Sequence, residues 1–200
     1  MAASYTQIAN RGLTKLGSAR IVSFDDDNKQ ARAVKSCFED LRDDELRAHR
    51  WSFSIKRTAL AADAEGPAFG YTYQYTLPAD FLKLDMVDDR FPSIMMDNYV
   101  GTEILDYVLE GNKILTNLAS PLRVRYIAII EDATKWDINF REALACRLAA
   151  ELAEDLTQSN QKRQLAWQEY DRAIGIALRS NAIERTPIMP SDNQWIVGRI

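Results

Sequence analysis

Across residues 42–60 the apolar period of this chain switches from that of a helix to that of a strand. Upstream, Val34, Phe38, Leu41 and Ala48 recur at the spacing of one helical face. Downstream, Trp51, Phe53 and Ile55 alternate with Ser52, Ser54 and Lys56, which predicts a half-buried strand beginning at Trp51. No glycine or proline separates the two patterns. A long helix is therefore expected to run straight into a sheet, with a large aromatic residue at the corner. Helix and sheet must belong to one fold.

The rest of the chain extends this pattern in both directions. Ser4 with Gln7 fits a capping box, Tyr5, Ile8, Ala9, Leu13 and Leu16 form one stripe, and Gly17 is a stop signal. A second helix is predicted from Asp25, Asp26 and Asp27, whose charges suit the positive end of the dipole. Arg47 and Arg50 suit its negative end. Residues 51–130 read as strands. Tyr71, Tyr73 and Tyr75 alternate with polar residues up to Leu77 and Pro78, residues 107–115 form a hairpin around Gly111 and Asn112, and residues 123–129 form a further strand. Gly66-Pro67 and Phe91-Pro92 mark loops, and residues 80–100 read as strand, turn and second strand. Helical periodicity returns after Ala133, with Thr134 and Asp137 as a capping box and Phe140, Leu144, Leu148, Leu152 and Leu156 on one face. A fourth helix begins near Ser159 and carries Leu165, Ala166, Tyr170, Ala173, Ile174 and Ala177. The link at residues 157–160 is short, so these two helices should be antiparallel neighbours. Across it, Glu151, Glu154 and Asp155 are expected to offset Lys162 and Arg163. The expected architecture is α+β. Residues 1–50 and 133–184 would form a four-helix bundle, residues 51–132 an inserted antiparallel β domain, and residues 185–200 an extended C-terminal tail.

Composition narrows the function classes. With 200 residues, 46% of them hydrophobic and 27% charged, the chain can bury about 70% of its unfolded surface without staples. A net charge of −4 argues against a domain that wraps nucleic acid with a basic face. No apolar run approaches the ~18 residues of a membrane span, and the N-terminus lacks a signal-peptide pattern, so an origin in the cytoplasm is expected. Cys37 and Cys146 fall on predicted helices and read as small buried residues of a reducing compartment. His49 is the only histidine, which rules out a histidine metal cluster. It lies twelve residues beyond Cys37, roughly 18 Å along one helix, too far for a nucleophile–base pair. Neither a phosphate-binding glycine loop nor a Gly-x-Ser-x-Gly element is present. No catalytic, metal or cofactor residues are assigned, and an enzyme is the weaker alternative.

Several segments resemble a known family. They are Arg-Asp-Asp-Glu-Leu-Arg-Ala-His-Arg-Trp-Ser-Phe-Ser-Ile-Lys-Arg at 42–57, Leu-Pro-Ala-Asp-Phe-Leu at 77–82, Trp-Asp-Ile-Asn-Phe-Arg-Glu-Ala-Leu-Ala at 136–145 and Leu-Ala-Ala-Glu-Leu-Ala at 148–153. Together with helix order and length, they resemble the head-to-tail adaptor (connector) proteins of tailed bacteriophages, of the tail tubular protein A-like type. Arg50 departs from the pattern, in which proline is expected. The resemblance implies a virion structural protein of the neck, assembled in the host cytoplasm. It would form a homo-oligomeric ring, about twelve copies, that binds the portal protein and extends the DNA channel. Tail or nozzle proteins would dock on it, and DNA would pass through the lumen unbound during ejection. No cofactor and no membrane are implied. Such rings use head-to-tail contacts between two different surfaces of each subunit. The acidic balance suits a non-sticking lumen, and equally suits a plain solubility charge.

The expected partner contact is the apolar end of the chain, Trp195, Ile196, Val197, Arg199 and Ile200, following Pro187 and Pro190. Exposed tryptophan favours an interface with the portal or a neighbouring subunit. Docking back onto its own helices is the competing reading. A monomeric helical peptide-binding domain is the alternative function, and it would elute as a single subunit.

Overall fold

The computed structural model describes residues 4–88 and 107–184. Helix α1 (Tyr5–Lys15) opens on the capping box, with the Ser4 hydroxyl accepting from Gln7 N and the Gln7 side chain accepting from Ser4 N. It closes in a Schellman turn: Ser18 N donates to Leu13 O at 2.9 Å, Gly17 N donates to Thr14 O at 3.0 Å, and Gly17 takes φ 70°. Helix α2 (Lys29–Ala48) starts later than the aspartates suggest. Asn28 is its cap, accepting from Ala31 N at 2.7 Å. The aspartates are used otherwise. Asp26 accepts from Val22 N at 2.7 Å, while Asp25 pairs with Lys35 at 2.7 Å and Asp27 with Arg32 at 2.5 Å.

The corner at Trp51 is a 3₁₀ turn (Ser52–Ser54) that precedes strand β1 (Ile55–Leu60), so the strand begins four residues later than expected. Trp51 is fully buried and its indole N–H donates to Glu45 O at 2.9 Å, back into the last turns of α2. Ser54 Oγ donates to Trp51 O at 3.0 Å and closes the turn. The second junction repeats the device. Residues Ala133–Lys135 form a 3₁₀ turn capped by Asp132, and Trp136 donates its indole N–H to Ile130 O at 2.7 Å. Helix α3 (Ile138–Thr157) is therefore capped by Asp137, which accepts from Asn139 N at 2.7 Å, and not by Thr134. In both corners a buried indole satisfies a carbonyl six residues upstream, where the regular backbone ladder has stopped. Phe140 packs edge-on against both tryptophans, with ring centroids 5.0 Å from Trp51 and 5.4 Å from Trp136. Tyr5 stacks on Trp136 at 5.4 Å and reaches Phe38 at 5.0 Å, joining the two corners to α1 and α2.

The remaining strands are β2 (Tyr73–Thr76), β3 (Phe81–Val87), β4 (Tyr107–Glu110), β5 (Lys113–Thr116) and β6 (Leu122–Ala128). They form two three-stranded antiparallel sheets, ordered β1-β6-β3 and β2-β5-β4. The hairpin turn falls at Gly111, at φ 57°, as its sequence requires. In β6, Leu122, Val124, Tyr126 and Ala128 face inward by strict alternation, while Arg123 and Arg125 occupy the other face.

The four-helix bundle carrying an inserted β domain is not what forms. The chain is α+β, with four helices and two sheets among the described residues. Helix α3 is the hub, packing on α1, α2 and α4, whereas α1 and α2 scarcely touch each other. Its ten buried residues include Phe140, Leu144, Leu148 and Leu152. Helix α4 (Asn160–Ile183) packs antiparallel on α3 as expected, but buries fully only Ala166 and Ala177. Four helices do not enclose a common interior. Instead Leu84, Val87, Leu122, Val124, Tyr126 and Ala128 of the first sheet, and Tyr75 and Ile114 of the second, join one core with the helices. The stripe on α4 misled because only its alanines Ala166 and Ala177 are buried, while Tyr170 is spent on a polar contact with Glu45 of α2. The tail expected at residues 185–200 lies outside the described residues, as does the second half of the 80–100 interval.

Candidate assembly surfaces

Helix α4 is seated by polar chemistry as well as by apolar contact. Glu45 of α2 is 3% exposed, and its Oε1 accepts from Tyr170 Oη at 2.6 Å. The Arg147 guanidinium of α3 lies 4.7 Å from the Trp167 ring centroid and 5.4 Å from that of Tyr170. Its Nε stands 4.0 Å from Glu45 Oε1, and His49 Nε2 stands 4.0 Å from Glu45 Oε2. Burial pushes the Glu45 carboxyl above its ordinary value against the pull of Tyr170, His49 and Arg147. The Tyr170 hydroxyl is raised too, by burial and by its bond to Glu45. Glu45 Oε2 is buried with no hydrogen-bond partner. This is a costly seat for a surface helix. Beyond it, Leu165, Ile176 and Ile183 are exposed at 53%, 48% and 84%.

At the other side of α3 lies an open groove of about 890 Å³ between α1 and the first turns of α3. Four of its eleven lining residues are cations, Arg11, Lys15, Arg20 and Arg141, and one is a carboxylate, Glu142. Arg11 donates to Glu142, and Lys15 pairs with Glu142 at 3.1 Å and with Glu169 at 3.2 Å. Burial alone would raise the Glu142 carboxyl, but the bonds from Arg11 and Lys15 hold it below its ordinary value. Arg20 donates to Thr14 Oγ1 at 3.3 Å, and Arg141 Nε is buried without a hydrogen-bond partner. The groove exists because α1 approaches α3 at Gly12, where a side-chain carbon would come 2.8 Å from Ala145 O. The opposite flank is acidic: Glu39 and Asp40 on the outer face of α2, and Glu151 on α3, are exposed.

A third feature ties the helix exit to the sheet. Asp85 of β3, 10% exposed in its side chain, pairs with Arg50 at 2.9 Å and with Arg125 at 2.5 Å. Arg50 thereby anchors the end of α2 on the first sheet.

The two thiols are poor nucleophiles as placed. Burial raises Cys37 to about 11 and also raises Cys146, whose Sγ lies 3.9 Å from Glu142 Oε1. Among the described residues no group of three or more His, Cys, Asp or Glu could hold a metal ion, and no helix is long and apolar enough to cross a membrane. At the α3–α4 link Arg163 pairs with Glu154 at 2.6 Å, as expected. Lys162 instead donates to Leu16 O at 3.1 Å and Asp155 pairs with Lys29 at 3.0 Å.

The partner-contact residues inferred from sequence, Trp195, Ile196, Val197, Arg199 and Ile200, lie outside the described residues. The groove cations were missed by sequence reasoning. Their signal was present: Arg11 and Lys15 are four apart, so they share one face of α1. Nothing in the sequence brought Arg141 to that face. Comparison with models of known protein families and with curated proteins found no match.

Proposed function

We propose that this protein is a head-to-tail adaptor of a tailed-phage virion. In this reading it is a ring-forming structural subunit of the neck that binds the portal, continues the DNA channel and receives the tail. It acts by shape and contact, without catalysis or cofactor. The observation that carries the reading is α4: 24 residues long, with Leu165, Ile176 and Ile183 in solvent, and continuing into a segment that ends Trp195-Ile-Val-Gly-Arg-Ile200. Large apolar side chains along an outer helix and in the sequence that follows it suit a protein that completes its packing against other subunits. The resemblance of residues 42–57, 77–82, 136–145 and 148–153 supports the same reading. Deletion of residues 187–200 tests it. The truncated chain should keep the far-ultraviolet dichroism and unfolding midpoint of the full chain, yet lose co-sedimentation with a portal ring. Unfolding of the truncated chain would mean that the segment completes its own core, and undiminished portal binding would place the contact elsewhere.

A further inference from the structure

The cations of the α1–α3 groove and the carboxylates of α2 lie on opposite flanks of one helix. Glu142, Ala145 and Ala149 of α3 face α1 through Arg11, Lys15 and Gly12. Glu151 is nine residues beyond Glu142, so at about 100° per residue it points half a turn away. There it shares the surroundings of Cys37 with Asp40 of α2. Glu39, Asp40 and Glu151 form no ion pair among the described residues, and neither do Arg20 and Arg141 on the other flank.

We propose that the groove is one half of a subunit contact, whose other half is the acidic outer face of α2 on a second copy of this chain. The proposal rests on the ring reading and adds the two surfaces that reading lacks. Charge and position favour a second copy. Glu39 and Asp40 are adjacent and exposed on α2, while Asp43 beside them already pairs with Arg42 at 2.7 Å; in the groove, Arg20 and Arg141 are the cations not held by Glu142. Ile138, 69% exposed at the groove mouth, would be covered by a helix face, whereas a nucleic-acid backbone would leave it wet. Complementary patches on opposite flanks give a contact between unlike surfaces, the type that closes into a ring or runs on as a filament. Opposite potentials also fix register and speed encounter.

Two double variants test it. One reverses the groove, Arg20→Glu with Arg141→Glu. The other reverses the helix face, Glu39→Lys with Asp40→Lys. Both spare Arg11, Lys15 and Glu142, which hold α1 on α3; Arg20, Glu39 and Asp40 are exposed, where such changes usually shift stability by no more than about 0.5 kcal/mol, while Arg141 is half-buried. Sedimentation velocity at low salt should show multimers for the wild type, and a tenfold or greater loss of association for each variant alone. An equal mixture should regain wild-type assembly, because groove and face are complementary again at every contact of an alternating ring. Wild-type assembly should also weaken at about 1 M salt, where the Debye length falls to about 3 Å. That arm holds even if a variant fails to fold. Salt-insensitive assembly, variants that assemble as the wild type does, or a mixture that stays dissociated would each overturn this contact and leave the ring reading standing. A groove reversal that assembles normally but loses duplex DNA binding would assign the groove to nucleic acid instead. A wild-type chain that is a single subunit at every concentration, even beside a portal ring, would overturn both.

Discussion

Alanine in place of glycine inside a helix ordinarily stabilises by about 1 kcal/mol, because glycine carries the larger backbone entropy cost. Gly12 and Gly175 should respond to that same substitution with opposite signs. At Gly175 on α4, an added carbon meets only Arg179 Nη2 at 3.9 Å, an ordinary contact with a flexible side chain. At Gly12 it comes 2.8 Å from Ala145 O, 3.4 Å from Leu148 Cδ2 and 3.6 Å from Ala149 N. The nearest of these is backbone of the hub helix and cannot rotate aside. Relief requires α1 to move off α3, with loss of the Leu13 and Ile8 packing, and overpacking of this kind costs about 1–3 kcal/mol. Set against the helix gain, Gly12→Ala should end up to about 2 kcal/mol below wild type. Gly175→Ala should end up to about 1 kcal/mol above it. Urea unfolding followed by tryptophan fluorescence reads both as shifts of midpoint at unchanged slope. If Gly12→Ala shifts upward in step with Gly175→Ala, α1 does not lie against α3 as described, and the groove built on that contact goes with it.

Two further perturbations address the polar supports. Glu45 has a folded-state pKa raised above its ordinary 4.5 by burial, so its protonated form is the better accommodated one. The stability this contributes is full below pH 4.5 and is lost as pH rises through the raised folded value. Glu45→Gln keeps an acceptor for Tyr170 and should flatten that decline, read from unfolding midpoints between about pH 4 and pH 7; a decline as steep as in the wild type would refute the assignment to Glu45. Asp85→Asn would leave the Arg50 and Arg125 guanidiniums without their shared carboxylate beneath the α2 exit. Breaking a buried pair from one side costs about 3–5 kcal/mol, measured by the same denaturation, and a loss under about 1 kcal/mol would show the triad to be solvent-screened.

The elements legible in the sequence were those whose signals are local. The Ser4 box, the Gly17 stop, the Gly111 turn and the helix start near Ser159 depend on residues within a few positions of one another, and all stand where their chemistry requires. The two tryptophan corners show the limit of local reading. Alternation at Trp51, Phe53 and Ile55 is genuine, but it is met by a 3₁₀ turn because the indole must reach back to the Glu45 carbonyl. At Trp136 the same demand moves the helix cap from Thr134 to Asp137. The aspartates at 25–27 carry the right charge for a helix start, yet Lys35 and Arg32 claim two of them and Asn28 supplies the cap. The architecture was misjudged for a non-local reason. An apolar stripe states that a face is covered without stating by what: the face of α2 is shared with the first sheet, whereas α4 packs chiefly on α3 and adds polar contacts to α2 and α1. The groove needed Arg141 and Arg11 to be neighbours across 130 residues of chain, a juxtaposition made by Gly12 and invisible to periodicity.

The mass of the particle in solution, by sedimentation velocity of the full chain with and without a purified portal ring, bears most directly on the adaptor reading. A closed multimer that forms alone or on contact with the portal, and that co-sediments with it, is the expected result. A species of one subunit's mass, 22.8 kDa, that persists unchanged beside the portal would contradict the assignment.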